Sequence, residues 1–307
     1  MFKKTIIFIL CVYSLILNNL YAIENKILFK INNEIITTID IFNEIKYLKL
    51  INSNLQNLSE KNLYEIAKNS LIRENIKKIE LLKNNISLTF EESTIDKIKK
   101  NFANQLKINS IEELEILLEK LELNRNDITE KLIIENVWNS FIVKKFIKDV
   151  KIDEDKIKKE ISKKNYQNEY DLSEIVFELE NNENINTKYN LIKNNIKENS
   201  FEDVASLISI SETSKTGGKL GWIKESSLNK KIKNELDTIK PKDITKPLVI
   251  PGGILILKIN KIRKIEKEIN KKKEIQSIIR EKTNEQLNQF SILYFNKIKK
   301  DVLINEL

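Results

Sequence analysis

The chain has 307 residues, 41% hydrophobic and 32% charged, with a formal net charge of +8, 5 Gly, 3 Pro, 1 Cys and no His. That apolar share is too high for a disordered chain, and the length allows one large or two modest cores. The missing His excludes Ser-His-Asp and Cys-His centres, His-Cys zinc sites and an imidazole base, and a lone Cys11 excludes a disulfide within the chain.

Lys3 and Lys4 precede an apolar run, Thr5 to Leu17, and the stretch ends at Leu20-Tyr21-Ala22. A basic start, an apolar run and a small residue make the layout of a secretory signal peptide, so residues 1–22 are read as one, cut after Ala22. The competing reading is an anchor that is retained, but the run is short of the roughly 20 residues of a spanning helix. Cys11 follows Leu10 rather than a small residue, which argues against a lipoprotein signal. After cleavage no integral anchor and no Cys remain, and the exported chain depends on core packing.

Lys26 to Ile36 reads as two short strands around Asn32-Asn33, a pair that tolerates positive φ. Thr37 and Asp40 form a capping-box-like pair before a helix over about 39–51. Ser59 opens a helix to about Lys83, Thr89 one to about Leu106, and Ser110 with Glu113 a short one to about Leu121. Asp127 and Glu130 open a longer helix through Val150, with Ile134, Val137, Trp138 and Phe141 on one side as core residues. Residues 23–165 are thus a helical module, its last stretch, 153–168, a charged helix or linker.

All the Gly and Pro residues lie between Gly217 and Gly253. Long helices avoid both and tight turns need them, so a turn-rich unit interrupts an otherwise helical chain. Over 166–264 the elements are a strand at Tyr170 to Leu179, helices at 184–198 and 200–208, a polar loop from Ser209 to Thr216, a strand near Leu220 to Ile223, a helix over about 226–239, and strands at Pro247 to Ile250 and Ile254 to Ile262. The last begins with four consecutive aliphatic residues, as a strand covered on both faces does. The tail from about 266 to 301 is helical, with Leu287, Phe290, Tyr294 and Ile298 on one stripe that must be buried, most simply against the N-terminal module. The fold class is therefore α+β: a helical N-terminal module completed by a C-terminal helix within 265–307, with an inserted α+β domain. The basic excess is interspersed with Glu and Asp along helix faces, which describes solvated faces and not a nucleic-acid groove.

The central segment resembles a parvulin-type (PpiC, rotamase) peptidyl-prolyl isomerase domain. The residues that carry the resemblance are Phe201-Glu202-Asp203-Val204-Ala205, Ser209, Ser211, the block Gly217-Gly218-Lys219-Leu220-Gly221-Trp222, Ile244-Thr245-Lys246-Pro247, and Gly252-Gly253 followed by Ile254 to Ile259. The whole chain is similar to the SurA-like periplasmic chaperones, with one parvulin domain between the helical parts. That resemblance implies a periplasmic chaperone and peptidyl-prolyl cis-trans isomerase for unfolded outer-membrane protein clients, with no cofactor and no metal. It places the isomerase positions at Glu174, Ser211 and Leu255, and the substrate pocket at Leu228 and Ile232, with Trp222 beside it. Two His on adjacent central strands are common in that family; here they are Glu174 and Leu255. The departure leaves three expectations in play: an isomerase, a holdase chaperone without catalysis, and a membrane-anchored foldase.

Overall fold

The computed structural model describes residues 25–161, 166–180, 183–266 and 271–307, so the signal-peptide reading of 1–22 lies outside the described residues. Strands β1 (Ile27–Ile31) and β2 (Glu34–Thr37) form an antiparallel hairpin, and Asn32 in its turn has φ 51°, a left-handed value Asn accepts more readily than most residues. Thr37 caps α1 (Thr38–Ile51): its hydroxyl accepts from the Asp40 N–H, and Asp40 accepts from the Thr37 N–H at 2.7 Å.

Helices α2 (Glu60–Lys83), α3 (Glu92–Gln105), α4 (Ile111–Lys120) and α5 (Arg125–Phe146) follow, and Ser59 and Ser110 cap α2 and α4 as expected. The other two starts differ. Helix α3 begins after Glu91 with no side-chain cap, and α5 is capped by Asn124, which accepts from the N–H groups of Asn126 and Asp127. Asp127 already lies inside the first turn, so the orphan donors point to Asn124 instead. The apolar faces of these helices close around Leu48, Leu55, Ile76, Ile134 and Trp138, each at most 1% exposed.

Helix α6 (Glu154–Ile161) leads into a second module. Its sheet holds β3 (Tyr166–Phe177), β4 (Lys219–Lys224), β5 (Leu248–Ile250) and β6 (Gly253–Glu266), all antiparallel in the order β4-β3-β6-β5. Helices α7 (Ile185–Glu198) and α8 (Phe201–Ile208) cover one face, and α9 (Lys230–Leu236) covers the other. The aliphatic run of β6 divides between them: Ile254 and Ile256 join Ile175 and Phe201, while Leu255 and Leu257 join Val176 and Ile232. Both faces are covered, which is why the run shows no polar alternation. Strands β3 and β6 extend beyond their expected ends because Tyr166 to Asp171 pair with Glu266 to Lys261, a cross-strand contact no local pattern announces. The expected helix over 226–239 is shorter: Glu225–Ser227 is a single tight turn, and α9 starts after Asn229, which caps the Ile232 N–H at 2.9 Å.

Helix α10 (Lys271–Lys299) and β7 (Ile304–Glu306) return to the first module. β7 pairs with β1, giving a sheet in the order β2-β1-β7 that the helical reading of the tail did not include. The α10 stripe packs where it was expected to. Phe290 stacks on Phe146 at 5.3 Å, Tyr294 sits among Trp138, Phe141 and Phe146, and the buried Trp138 Nε1–H donates to Ser291 Oγ at 2.9 Å. The two ends of the chain thus share one core, with the four-stranded sheet inserted between them. Among the described residues no helix is long and apolar enough to cross a membrane.

Candidate active site on the four-stranded sheet

Register decides which side chains meet. Glu174 on β3 lies opposite Leu257, and Val176 opposite Leu255, so all four share the α9 face of the sheet. The loop after α8 is stitched to the same strand: the Ile210 N–H donates to Val176 O at 2.8 Å, and the Val176 N–H donates to Ser209 Oγ at 3.0 Å. This places two hydroxyls against Glu174. Ser211 Oγ donates to Glu174 Oε1 at 2.5 Å, and Thr213 Oγ1 donates to the same oxygen at 2.9 Å. Thr213 was not singled out from the sequence, although the alternation in Ser211-Glu212-Thr213 carries the signal. Burial pushes the Glu174 carboxyl above its ordinary range, and the two hydroxyl donors oppose that rise. These partners offset only part of the cost of burying a carboxylate here.

Gly218 supports the same residue from behind. The Glu174 N–H donates to Gly218 O at 2.7 Å, and a Cβ on Gly218 would lie 2.1 Å from Glu174 O. Its φ of 76° is also one that L side chains rarely adopt.

The other predicted positions separate. Leu255 is 5% exposed and packs in an apolar layer with Val176, Leu248 and Ile232. Leu228 and Ile232 border a cleft of about 720 Å³, closed on its far side by Ile157 of α6 and by Lys282, Glu285 and Gln289 of α10; Glu174, Ser211 and Leu255 are not in its wall. The Lys282 Nζ donates to Ser227 O at 2.8 Å. Burial pushes the Glu285 carboxyl upward against the opposing pull of Lys282, and the nearby Glu174 charge adds to the rise. Trp222 lies apart from them. It is 39% exposed, pairs with Asp171 and lies under the Arg263 guanidinium at 4.2 Å, while Leu220 and Ile223 on either side of it face α9. Its pairing with Asp171 sets the indole on the face away from Glu174, and the bulge between Leu172 and Ser173 returns Leu220 to the α9 face.

The helical module grips the same loop from outside. Arg73 of α2 donates to Ser211 O at 2.9 Å and Ser214 Oγ at 3.2 Å. Lys77, wholly buried, pairs with Glu212 at 2.7 Å and with Glu135 at 3.0 Å, and Lys215 pairs with Glu135 at 2.5 Å. Burial alone would raise the Glu135 carboxyl, but Lys215 and Lys77 hold it well below the ordinary range. The loop residues therefore face two ways: Ser211 and Thr213 to Glu174, Glu212 and Lys215 to the helices. Among the described residues no group of three or more acidic or Cys side chains is arranged to hold a metal ion.

Residues 170–261 match the family of the rotamase, PPIC-type PPIASE domain. The chain carries a rotamase domain. No curated protein matches the chain. Similar solved structures include a peptidylprolyl isomerase, PrsA, from Bacillus anthracis, 19% identical over 76% of this chain and 97% of that one, with TM-score 0.33. Another is one of the SurA-like chaperones of Campylobacter jejuni, 16% identical over 92% and 99% of the two chains, with TM-score 0.38. A third is a PpiC-type isomerase domain, 23% identical over 34% of this chain and 97% of that one, with TM-score 0.29. At these scores the functional reading rests on the rotamase match and on the residues themselves.

Proposed function

We propose that the protein is an exported chaperone of the periplasm that binds unfolded outer-membrane proteins and isomerises their X-Pro bonds at the rotamase domain. The observation that carries this reading is the cleft beside α9, where Leu228 and Ile232 offer an apolar seat to a prolyl ring within the segment that matches the rotamase family. The reaction must lower a barrier of about 18–20 kcal/mol, and binding the twisted amide better than the planar one is enough. Lys282, Glu285 and Gln289 are polar groups in the wall of that cleft, and no cofactor is required. Residues 1–22, read as a signal peptide, supply the export.

One observation favours a second reading, a holdase without catalysis. The β6 position at which the resemblance expects a His is Leu255, which lies opposite Val176 and is 5% exposed among aliphatic side chains. Exchange NMR on a proline-containing peptide separates the two. Acceleration of cis/trans exchange by the purified chain supports catalysis, and its absence removes that part. Failure also to slow aggregation of an unfolded outer-membrane β-barrel protein would remove the chaperone reading with it.

A further inference from the structure

Helix α10 is two-sided. Leu287, Tyr294 and Ile298 bury one side in the core of the helical module. Lys282, Glu285, Gln286 and Gln289 follow at helical spacing and line the cleft beside α9. Two of these polar side chains are taken up by backbone groups. The Lys282 Nζ donates to Ser227 O at 2.8 Å. Gln286 donates to Lys151 O at 2.8 Å and accepts from the Lys151 N–H at 3.0 Å. They tie both walls of the cleft to α10. Glu285 and Gln289 remain across from the apolar seat of Leu228 and Ile232.

Glu285 differs from the other carboxylates of the wall. Glu225 is paired with Lys233, and Asp153 accepts from the Lys156 N–H at 2.9 Å in the first turn of α6. Glu285 instead accepts from the Asn229 side chain, just before α9. Burial pushes its carboxyl upward; Lys282 opposes that rise, Glu174 on β3 adds to it, and the Asn229 bond opposes it. The other charges across the cleft are the ammonium groups of Lys230 and Lys231 on α9 and of Lys151 and Lys156 beside α6. A carboxyl drawn toward its neutral form by burial becomes a hydrogen-bond donor.

The reaction has a place for such a donor. Twisting an X-Pro amide breaks its conjugation and returns the lone pair to the prolyl nitrogen. A donor at that nitrogen is bonded in the twisted state and not in the planar one, so it lowers the barrier. We propose that Glu285 is a catalytic residue of the rotamase cleft: with the prolyl ring on Leu228 and Ile232, its carboxyl donates to the prolyl nitrogen as the amide twists. The proton stays on Glu285 throughout. The assignment rests on the isomerase reading of the cleft, and it draws the polar half of that site from the C-terminal helix instead of the four-stranded sheet.

The test is exchange NMR on a short proline-containing peptide with the full chain and two variants. Glu285→Leu removes the donor and is expected to lower kcat/KM about tenfold, the size of one hydrogen bond. Glu285→Gln keeps a donor of similar shape at every pH and is expected to restore most of that loss. In the parent, kcat/KM is expected to fall as pH rises through the Glu285 pKa read by 13C titration, and in Glu285→Gln to stay flat. A parent that accelerates exchange alongside an equally fast Glu285→Leu overturns the assignment and leaves the isomerase reading standing. So does Glu285→Gln as slow as Glu285→Leu. A parent without acceleration removes both. If Glu285→Leu does not fold, the unaltered chain decides: a pH profile that is flat across the Glu285 titration overturns the proposal.

Discussion

Replacing Gly218 by Ala adds one methyl group behind Glu174, and two separate costs follow. The residue has φ 76°, and an L side chain in that region costs about 1–2 kcal/mol. The new Cβ would also stand 2.1 Å from Glu174 O and 3.0 Å from Ala205 Cβ, so β3 or the loop must move. Forcing a methyl into a packed site costs about 1–3 kcal/mol. The two together come to about 2–5 kcal/mol. Gly221 in the same block is the internal control. Its φ is 79°, but a Cβ added there would meet nothing within 4 Å, so Gly221→Ala carries only the backbone cost of about 1–2 kcal/mol. Urea unfolding measures both variants, and native-state hydrogen exchange at the Glu174 N–H, which donates to Gly218 O, localises the effect. Gly218→Ala is expected to lose about 1–3 kcal/mol more than Gly221→Ala. Equal losses would refute the claim that close approach to Glu174 requires glycine here.

Lys77→Met removes the cation shared by Glu135 and Glu212 and is expected to cost about 3 kcal/mol; a thermal melt that does not move would contradict it. Ser291→Ala leaves the buried Trp138 N–H without its acceptor, and a loss of about 1–3 kcal/mol in denaturant unfolding is expected. Ser211→Ala removes a donor that lowers the Glu174 pKa, so a 13C titration is expected to place that carboxyl higher than in the parent chain. Two of the shifted carboxyls, Glu174 and Glu135, have opposite signs against pH. Glu174 is raised in the folded state, so its ionisation opposes folding at neutral pH and the penalty fades as pH falls through its folded pKa. Glu174→Gln is then more stable than the parent at neutral pH and loses that advantage in acid. Glu135 is lowered, so its stabilisation is complete above the ordinary carboxylate range and is lost as pH falls below it. Melts of Glu174→Gln and Glu135→Gln across about pH 7 to 3 read both signs, and parallel curves would contradict the assignment.

Features made by neighbours in the chain were legible in advance. The box at Thr37–Asp40, the caps at Ser59 and Ser110 and the left-handed turn at Asn32 formed as read, because the partners sit within three residues of each other. The same local view misplaced the α5 cap, where Asn124 and Asp127 both suit the role and only the backbone geometry chooses between them. In the site, Ser211 meets Glu174 across 37 positions of chain. The cross-strand pairing that sets Trp222 opposite Asp171 left no trace in residue order.

By itself, the order of residues determined the helices, the turns, the α+β class and the rotamase segment, since each depends on periodicity or on a short motif. Tertiary structure alone decided what surrounds Glu174. Arg73 reaches Ser211 across 138 positions of chain, and α10 closes the cleft beside Leu228 from the far end of the protein. It also placed the Lys131 ammonium between Glu44 and Glu74. A carboxylate has the same pattern whether it faces water or a buried partner, and only the packing of α1, α2 and α5 replaces the water around these side chains with one another.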